Sequence, residues 1–187
     1  MKKMLISLAL ASAAIAAPVA AQTLPPAVII VVDLDSVFQT SAAGKLALTE
    51  LKTRADAIQG RLQQLRTSFG TEEQALVSTR PTAAGPAATA WETKARDFQT
   101  RKTQAEQELA KRDADLQASR QFVVKQLNDG TQPIISTIMK ERGASIALAE
   151  GATLQHAASI DVTADVIARL DKSLPRVVTT APAAAAK

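Results

Sequence analysis

The sequence predicts a predominantly helical α+β protein, in which a long antiparallel coiled-coil hairpin is inserted into a small β-containing oligomerisation body. Two segments in the middle of the chain repeat apolar residues at helical spacing, and a proline-rich stretch separates them. Short apolar runs typical of strands lie near both ends of the chain. Aromatic residues make up only 3% of the chain, which is little for one globular core and favours an elongated shape.

The first 21 residues have the order of a secretory signal peptide. Lys2 and Lys3 precede an uncharged apolar run that is too short for a good membrane span, and small residues follow up to Ala21. We therefore expect cleavage after about Ala21, a mature chain that begins at Gln22, and a periplasmic location. Loss of the two lysines lowers the formal net charge of +4 by two, so a nucleic-acid partner is not expected.

The first element of the mature chain is predicted to be a short strand. Residues 27–33 are nearly all apolar and β-branched and follow two prolines, a pattern typical of a strand buried on both faces. Asp33 and Asp35 then supply N-cap chemistry for a short helical turn that carries Val37 and Phe38.

From Ser41 the apolar residues follow the period of a coiled coil. Seven of them are spaced alternately three and four residues apart, with charged residues beside them. They are Leu48, Leu51, Ala55, Ile58, Leu62, Leu65 and Phe69. The series fades into residues 79–86, where Pro81, Gly85 and Pro86 predict the tip of a hairpin.

A second apolar series begins beyond this turn. Its members are Trp91, Ala95, Phe98, Ala105, Leu109, Leu116, Val123 and Leu127. Two such series joined by a turn predict an antiparallel helical hairpin over residues 45–133. Residues 128–133 include Gly130 and Pro133, which predict a kink or an interruption of the second helix.

The rest of the chain is predicted to return to the body. Gly143 is a plausible helix stop, residues 145–149 alternate as a strand does, and residues 152–157 could form a third strand. Thr163 is the expected N-cap of a last helix. Residues 173–187 are rich in alanine and proline and are predicted to be a disordered tail.

The two ends of the chain, residues 22–44 and 134–172, are expected to form one body. The part of these ranges expected to form the core, residues 28–44 and 134–172, has only about 55 residues, which is marginal by itself. A strand that is apolar on both faces also leaves an exposed edge. The sequence therefore predicts an oligomer whose contacts come from the two strands. The candidate residues for these contacts are Val28, Ile29, Ile30, Val31, Val32, Ile146 and Leu148.

No arrangement of residues in the sequence predicts catalysis, a metal or a cofactor. His156 is the only histidine and the chain has no cysteine, so neither a histidine-based metal site nor a hydrolytic triad is expected. Asp33, Asp35, Asp161 and Asp165 are candidates for acid–base chemistry or a cation site. Each lies where a strand ends or a helix begins, and helix capping is the alternative interpretation.

Two motifs carry a resemblance to a known family. Residues 31–45 read VVDLDSVFQTSAAGK, residues 160–170 read IDVTADVIARL, and a long charged coiled coil lies between them. In this order and spacing the chain resembles the Skp/OmpH family of periplasmic chaperones. The resemblance implies a homotrimer in which strands of three chains form a small barrel. Three helical hairpins would extend from this barrel and enclose unfolded outer-membrane β-barrel proteins, without a nucleotide.

The function predicted from these features is that of an ATP-independent periplasmic holdase. It would bind unfolded outer-membrane proteins and prevent their aggregation during transit to the outer membrane. The alternative is an exported coiled-coil structural or adaptor protein that binds a folded envelope partner. An enzyme is not expected.

The hairpin supplies the candidates for client binding. Between Lys45 and Lys125 it has 14 basic and 10 acidic residues, a surplus that would attract acidic clients and anionic membrane surfaces. A solvated helix face is the alternative interpretation of this surplus. The aromatic residues near the tip would either contact clients or pack within the hairpin itself. The candidate residues are Arg66, Phe69, Trp91, Arg96, Phe98, Arg101 and Lys102.

Overall fold

A computed structural model of the protein describes residues 26–182. The predicted signal peptide and its cleavage site lie outside the described residues, as do residues 183–187. Six elements of secondary structure follow one another along the chain, and two short 3₁₀ turns lie between β2 and α4. The elements are β1 (Ile29–Val32), α1 (Leu34–Thr40), α2 (Ala42–Ser78), α3 (Pro86–Arg142), β2 (Ile146–Ala149) and α4 (Thr163–Ser173).

The two strands form a parallel pair at the base of the molecule. Ile29 lies opposite Ile146, and Val32 lies opposite Ala149. Parallel strands need a long connection, and here α1, α2 and α3 together provide it. The predicted α+β fold, with a long hairpin inserted between the strands of a small body, is confirmed.

A single core joins the strands to the helices of the body. Val37 of α1, Ile138 of α3, and Val166 and Leu170 of α4 have no exposed side-chain surface. The core residue of α1 therefore packs with residues of α3 and α4 that lie more than 90 residues further along the chain.

Carboxylates at the ends of the strands cap or anchor the helices that follow. Asp33 is the N-cap of α1, and its Oδ1 accepts a hydrogen bond from Ser36 N at 2.8 Å. Asp161 Oδ1 accepts from Thr163 N at 2.8 Å, and hydrogen bonds from the hydroxyl and the backbone of Thr163 lower the pKa of Asp161. Thr163 is itself the first residue of α4, so its predicted role as N-cap is wrong. Its hydroxyl instead accepts from Asp33 N at 2.9 Å.

The other two candidate carboxylates, Asp35 and Asp165, also have structural roles. Asp35 lies in the first turn of α1, where a negative charge is favourable. Asp165 Oδ1 accepts a hydrogen bond from Arg169 at 2.8 Å, and Arg169 also pairs with Glu141 of α3 at 2.7 Å. Within residues 26–182, no group of three or more acidic or histidine side chains is placed to hold a metal ion.

The apolar seam between α2 and α3 follows the predicted series except where α2 enters the body. Leu51 and Leu65 of α2 are buried, as are Leu116 and Val123 of α3. Leu48, however, is 51% exposed, and Ala47 is 1% exposed in its place. The base of α2 must face α1 as well as α3, so the buried face rotates away from the heptad phase that holds further along the arm.

Helix α3 continues through Pro133, and the predicted interruption at residues 128–133 is wrong. The helix has 57 residues, which corresponds to roughly 85 Å. Ile134 and Ile138 lie in the body core on either side of the next turn, and Thr131 Oγ1 donates to Leu127 O at 2.7 Å. We attribute the continuity to this packing, because it holds the turn helical although proline lacks one backbone donor. Gly143 ends the helix in the left-handed conformation, as predicted (φ 63°).

No third strand forms at residues 152–157. A 3₁₀ turn at Glu150–Ala152 ends β2, and the far edge of β1 is occupied by residues 161 and 162 instead. Val31 forms a parallel bridge with Asp161, and Val162 N donates to Val31 O at 2.9 Å. The predicted strand has no free partner at β1.

The prediction of a disordered tail is wrong for residues 174–182. This segment runs back along the base of the hairpin, where Val177 and Thr179 are both buried. Side chains of α2 and α3 bond to its backbone. Among the described residues, none of the helices is long and apolar enough to cross a bilayer.

His156 provides a pH-dependent contact after β2. Its Nε2 lies 3.3 Å from Glu150 Oε1, and its Nδ1 lies 3.3 Å from Ala157 O. The hydrogen bond with Glu150, assisted by that with Ala157, raises the pKa of His156 above its ordinary value. A raised folded-state pKa means that the stabilisation is complete below the unfolded-state pKa and is lost as the pH rises through the folded-state pKa.

We therefore expect an NMR titration of this single histidine to give a pKa above about 6.5. Glu150→Gln should move the pKa back towards that value, whereas Glu73→Gln on an exposed part of α2 should not. A wild-type titration midpoint at or below the ordinary value would contradict the contact.

Candidate functional site

The tip of the hairpin is closed by contacts of Trp91. Helix α2 ends at Ser78, and α3 begins at Pro86 after Gly85, whose φ of 151° favours glycine. Trp91 Nε1 donates a hydrogen bond to Leu76 O at 2.9 Å. The guanidinium of Arg80 lies 5.6 Å from the centre of the Trp91 ring, within cation–π distance. Trp91 therefore fastens the first turns of α3 to the last turn of α2.

Phe69 and Phe98 pack against each other inside the seam. Their ring centres are 5.7 Å apart and the rings are nearly perpendicular, at 88°, a favourable edge-to-face arrangement. Phe98 is 7% exposed. All three aromatic residues near the tip contact other residues of the hairpin, which agrees with the interpretation that they pack within the hairpin itself.

The four candidate basic residues differ in their surroundings: one is bonded within the hairpin, one is half-buried and two are exposed. Arg101 Nη1 donates to Glu72 Oε2 across the arms at 3.0 Å, and its Nε donates to Asp97 Oδ2 at 2.9 Å. These bonds raise the pKa of Arg101, and the bond from Arg101 lowers the pKa of Glu72. Lys102 is half-buried, whereas Arg66 and Arg96 are exposed. The exposed pair is thus available for long-range attraction, while Arg101 clamps α2 to α3.

The arms also expose large apolar side chains that are not among the client-binding candidates predicted from the sequence. They are Leu46, Leu48 and Val77 on α2 and Val124 on α3. Leu46, Val77 and Val124 lie outside the two heptad series. This departure from the heptad period could have indicated from the sequence that their side chains are exposed. Leu46, Leu48 and Val124 lie near the body end of the hairpin and Val77 lies near its tip, so apolar contacts with an extended chain are offered at both ends of the arms.

The seven strand residues predicted to form the oligomer interface divide into two groups. Ile30, Val31 and Val32 are buried within the chain's own core. Val28 is 44% exposed and Ile146 is 41% exposed, while Ile29 and Leu148 are half-buried. In the described part of the chain, β1 has neighbours on both sides and β2 on only one. The strand edge left without a neighbour among the described residues is therefore that of β2.

The architecture defines a class of proteins in which a long helical hairpin extends from a small body. A family model described as "Outer membrane protein (OmpH-like)" matches residues 28–170. The chain belongs to this family, and the resemblance predicted from the two motifs is confirmed. At the level of the family, the comparisons support a chaperone.

A solved structure shows the same fold. It is the crystal structure of a proposed outer membrane chaperone (OmpH-like) from Caulobacter crescentus CB15. The similarity has a TM-score of 0.69 and 22% sequence identity, and it covers 83% of this chain and 92% of the other. No curated protein matches the sequence.

Proposed function

We propose that this protein is an ATP-independent holdase that binds unfolded outer-membrane β-barrel proteins in the periplasm and prevents their aggregation. The observation that carries the proposal is the hairpin, whose α2 has 37 residues, corresponding to about 55 Å. Its outer surface is charged, and it exposes large apolar side chains near the body and near the tip. Membership of the OmpH-like family supports this function over that of a folded-partner adaptor.

Such a surface binds by many weak contacts. Single apolar contacts are individually small, but their sum rises steeply when they act on one tethered chain. A client held in this way is released when it folds or is handed over, because folding removes the extended segments that make the contacts. The mechanism needs no nucleotide, and we propose neither enzymatic activity nor a cofactor.

We also propose that the body assembles into a homotrimer through the edge of β2. Ile146 is exposed on β2 and Val28 is exposed just before β1, and an exposed strand edge favours pairing with another strand. Three hairpins extending from one body would enclose a space, and enclosure raises the local concentration of contact sites around a client.

The function is tested by aggregation of a client protein. A urea-denatured outer-membrane β-barrel protein is diluted into buffer with the mature chain, residues 22–187, and light scattering is followed without nucleotide. We expect scattering to be suppressed, with saturation near one trimer per client. Unchanged scattering over a wide excess of folded protein would overturn the holdase proposal and favour an adaptor.

The contribution of the basic arms is tested in the same assay. We expect the double substitution Arg66→Glu and Arg96→Glu to weaken client binding about threefold to tenfold at low salt, because attraction by exposed charges is long-range and screened. The control is Lys140→Glu with Lys172→Glu, which makes an equal charge change on exposed residues of the body. Equal client affinities and salt dependences for the two double variants would show that the arm charges are only solvated surface.

A further inference from the structure

The segment 174–182 lies against the hairpin in the manner of an added strand. Val177 and Thr179 are each 7% exposed, whereas Val178 between them is 59% exposed. Alternate side chains thus point into and away from the groove between α2 and α3, which is the period of an extended strand. Val177 belongs to the same apolar core as Leu51 and Val123.

The groove recognises the backbone of this segment. Gln126 Nε2 donates to Val178 O at 2.8 Å, and Val178 N donates to Gln126 Oε1 at 3.0 Å. Arg54 Nη1 donates to Thr179 O at 2.8 Å. The Gln126 amide therefore offers one donor and one acceptor to one residue, as a neighbouring strand does. Backbone recognition of this kind tolerates different sequences, provided that the residue at the Gln126 position is not proline.

The groove also binds a hydroxyl side chain and a second backbone donor of the segment. The Thr179 hydroxyl donates to Glu50, and Arg54 Nη2 donates to the same hydroxyl at 3.1 Å. Further along, Ala181 N donates to Ser119 Oγ at 3.5 Å. A cleft of about 810 Å³ lies between the arms and residues 180–182 of the tail, and Ile58 and Leu116 are among the residues that line it.

We propose that the groove lined by Glu50, Arg54, Ser119 and Gln126 is a binding site for extended peptide, which the C-terminal segment 174–182 occupies in cis. The ligand in trans would be a strand-forming segment that places every second side chain in the groove, as residues 177–179 do. Transmembrane β-barrel strands alternate apolar and polar side chains with this period of two, and for that reason unfolded barrel clients are the occupants that fit. The identity of the client rests on the proposed function, but the existence of the peptide site does not.

Binding in trans requires displacement of the tail. A tethered segment competes at an effective concentration in the millimolar range, so an external peptide binds the intact protein weakly. In the intact protein, the apparent Kd for an external peptide is the intrinsic Kd divided by the fraction of molecules whose groove is open. Release of the tail brings this fraction close to one and so lowers the apparent Kd. The tail would thus restrict the groove to clients that present many strands at once.

The test uses the full mature chain and a labelled peptide with the sequence of residues 174–182, followed by fluorescence anisotropy. Val177→Asp places a charge in the apolar core and releases the tail, whereas Val178→Asp makes the same change on the exposed side of the same segment. We expect Val177→Asp to bind the peptide at least about tenfold more tightly than wild type. Val178→Asp should bind it as wild type does.

A second pair of variants separates the groove from general loosening of the fold. Adding Gln126→Ala to Val177→Asp should abolish the gain, because the backbone of the peptide loses both bonds to the Gln126 amide. Thr179→Val removes the hydroxyl bonded to Glu50 and Arg54 with little change in volume. It should increase peptide binding in the same direction by a smaller factor, while far-UV circular dichroism remains that of wild type.

Two results would overturn the proposal. One is a folded Val177→Asp or Thr179→Val variant that binds the peptide no better than wild type, which would make the tail a structural strap only. The other is an equal gain in Val178→Asp. The aggregation assay reports separately: peptide binding without suppression of aggregation would overturn the holdase function and leave the peptide site standing. Suppression that is insensitive to both Val177→Asp and Gln126→Ala would overturn the assignment of clients to this groove.

Discussion

Gly44→Ala is expected to unfold the body of the protein. A Cβ at this position would lie 1.7 Å from Phe38 O and 2.7 Å from the carbonyl carbon of Phe38. Both are backbone atoms of α1, so the clash cannot be relieved by a side-chain rotation. Gly44 N also donates to Ser41 Oγ at 3.2 Å in the N-terminal cap of α2, so a shift of α2 would break this cap as well.

We expect this substitution to lower the free energy of unfolding by more than about 3 kcal/mol, at the upper end of overpacking effects. The measurement is urea denaturation followed by circular dichroism at one fixed protein concentration, because assembly would add to the apparent stability. Gly60→Ala is the matched control. Gly60 lies in the same helix with no atom near its Cβ position, and alanine there should stabilise the helix by about 0.5–1 kcal/mol.

The same substitution of glycine by alanine is therefore expected to lower the free energy of unfolding at Gly44 and to raise it at Gly60. If Gly44→Ala were as stable as Gly60→Ala, the close approach of α1 to α2 would be wrong. The glycine in the SAAGK motif, residues 41–45, would then not be required by packing against α1.

Leu170→Ala is expected to lower the free energy of unfolding by about 2–5 kcal/mol, the usual range for a leucine deleted from a tight core. Leu170 is fully buried where α4 meets α1 and α3. Its Cδ1 would be 3.3 Å from a Cβ built on Gly130, which shows how closely α4 approaches α3. The surrounding backbone has little freedom to fill the cavity that alanine would leave.

Leu48→Ala is the control, because the same side chain is deleted from a position that is half exposed. Its cost should stay below about 1 kcal/mol, since little buried surface is lost and alanine favours the helix. If both substitutions lowered the free energy of unfolding equally, Leu48 would be buried in the seam as the heptad series predicts. That result would contradict the shift of the buried face at the base of α2.

The aromatic and basic residues near the tip show why the candidate site was only partly predictable. Residue type and period correctly located Phe69, Trp91 and Phe98 on the seam-forming helices, but both packing and exposure were compatible with the pattern. Their burial depends on which residues of the other arm lie opposite. Arg101 similarly differs from Arg66 only because Glu72 and Asp97 lie within its reach.

The sequence by itself determined the features that depend on neighbours along the chain. The helical period, the turn predicted at residues 79–86, the stop at Gly143 and the apolar strand predicted within residues 27–33 each follow from local backbone preference and spacing. The two terminal motifs likewise sufficed for the family.

Only the tertiary structure decided the features that depend on contacts between distant segments. Helix α3 continues through Pro133 because the turn that follows packs into the body core through Ile134 and Ile138. Residues 161 and 162 lie at the far edge of β1, and residues 152–157 do not form the predicted third strand. Residues 174–182 are ordered because Arg54 and Gln126, 125 and 52 positions away from their tail partners, bond to their backbone. Local composition says nothing about such partners, because the free energy of each contact depends on which surfaces the fold brings together.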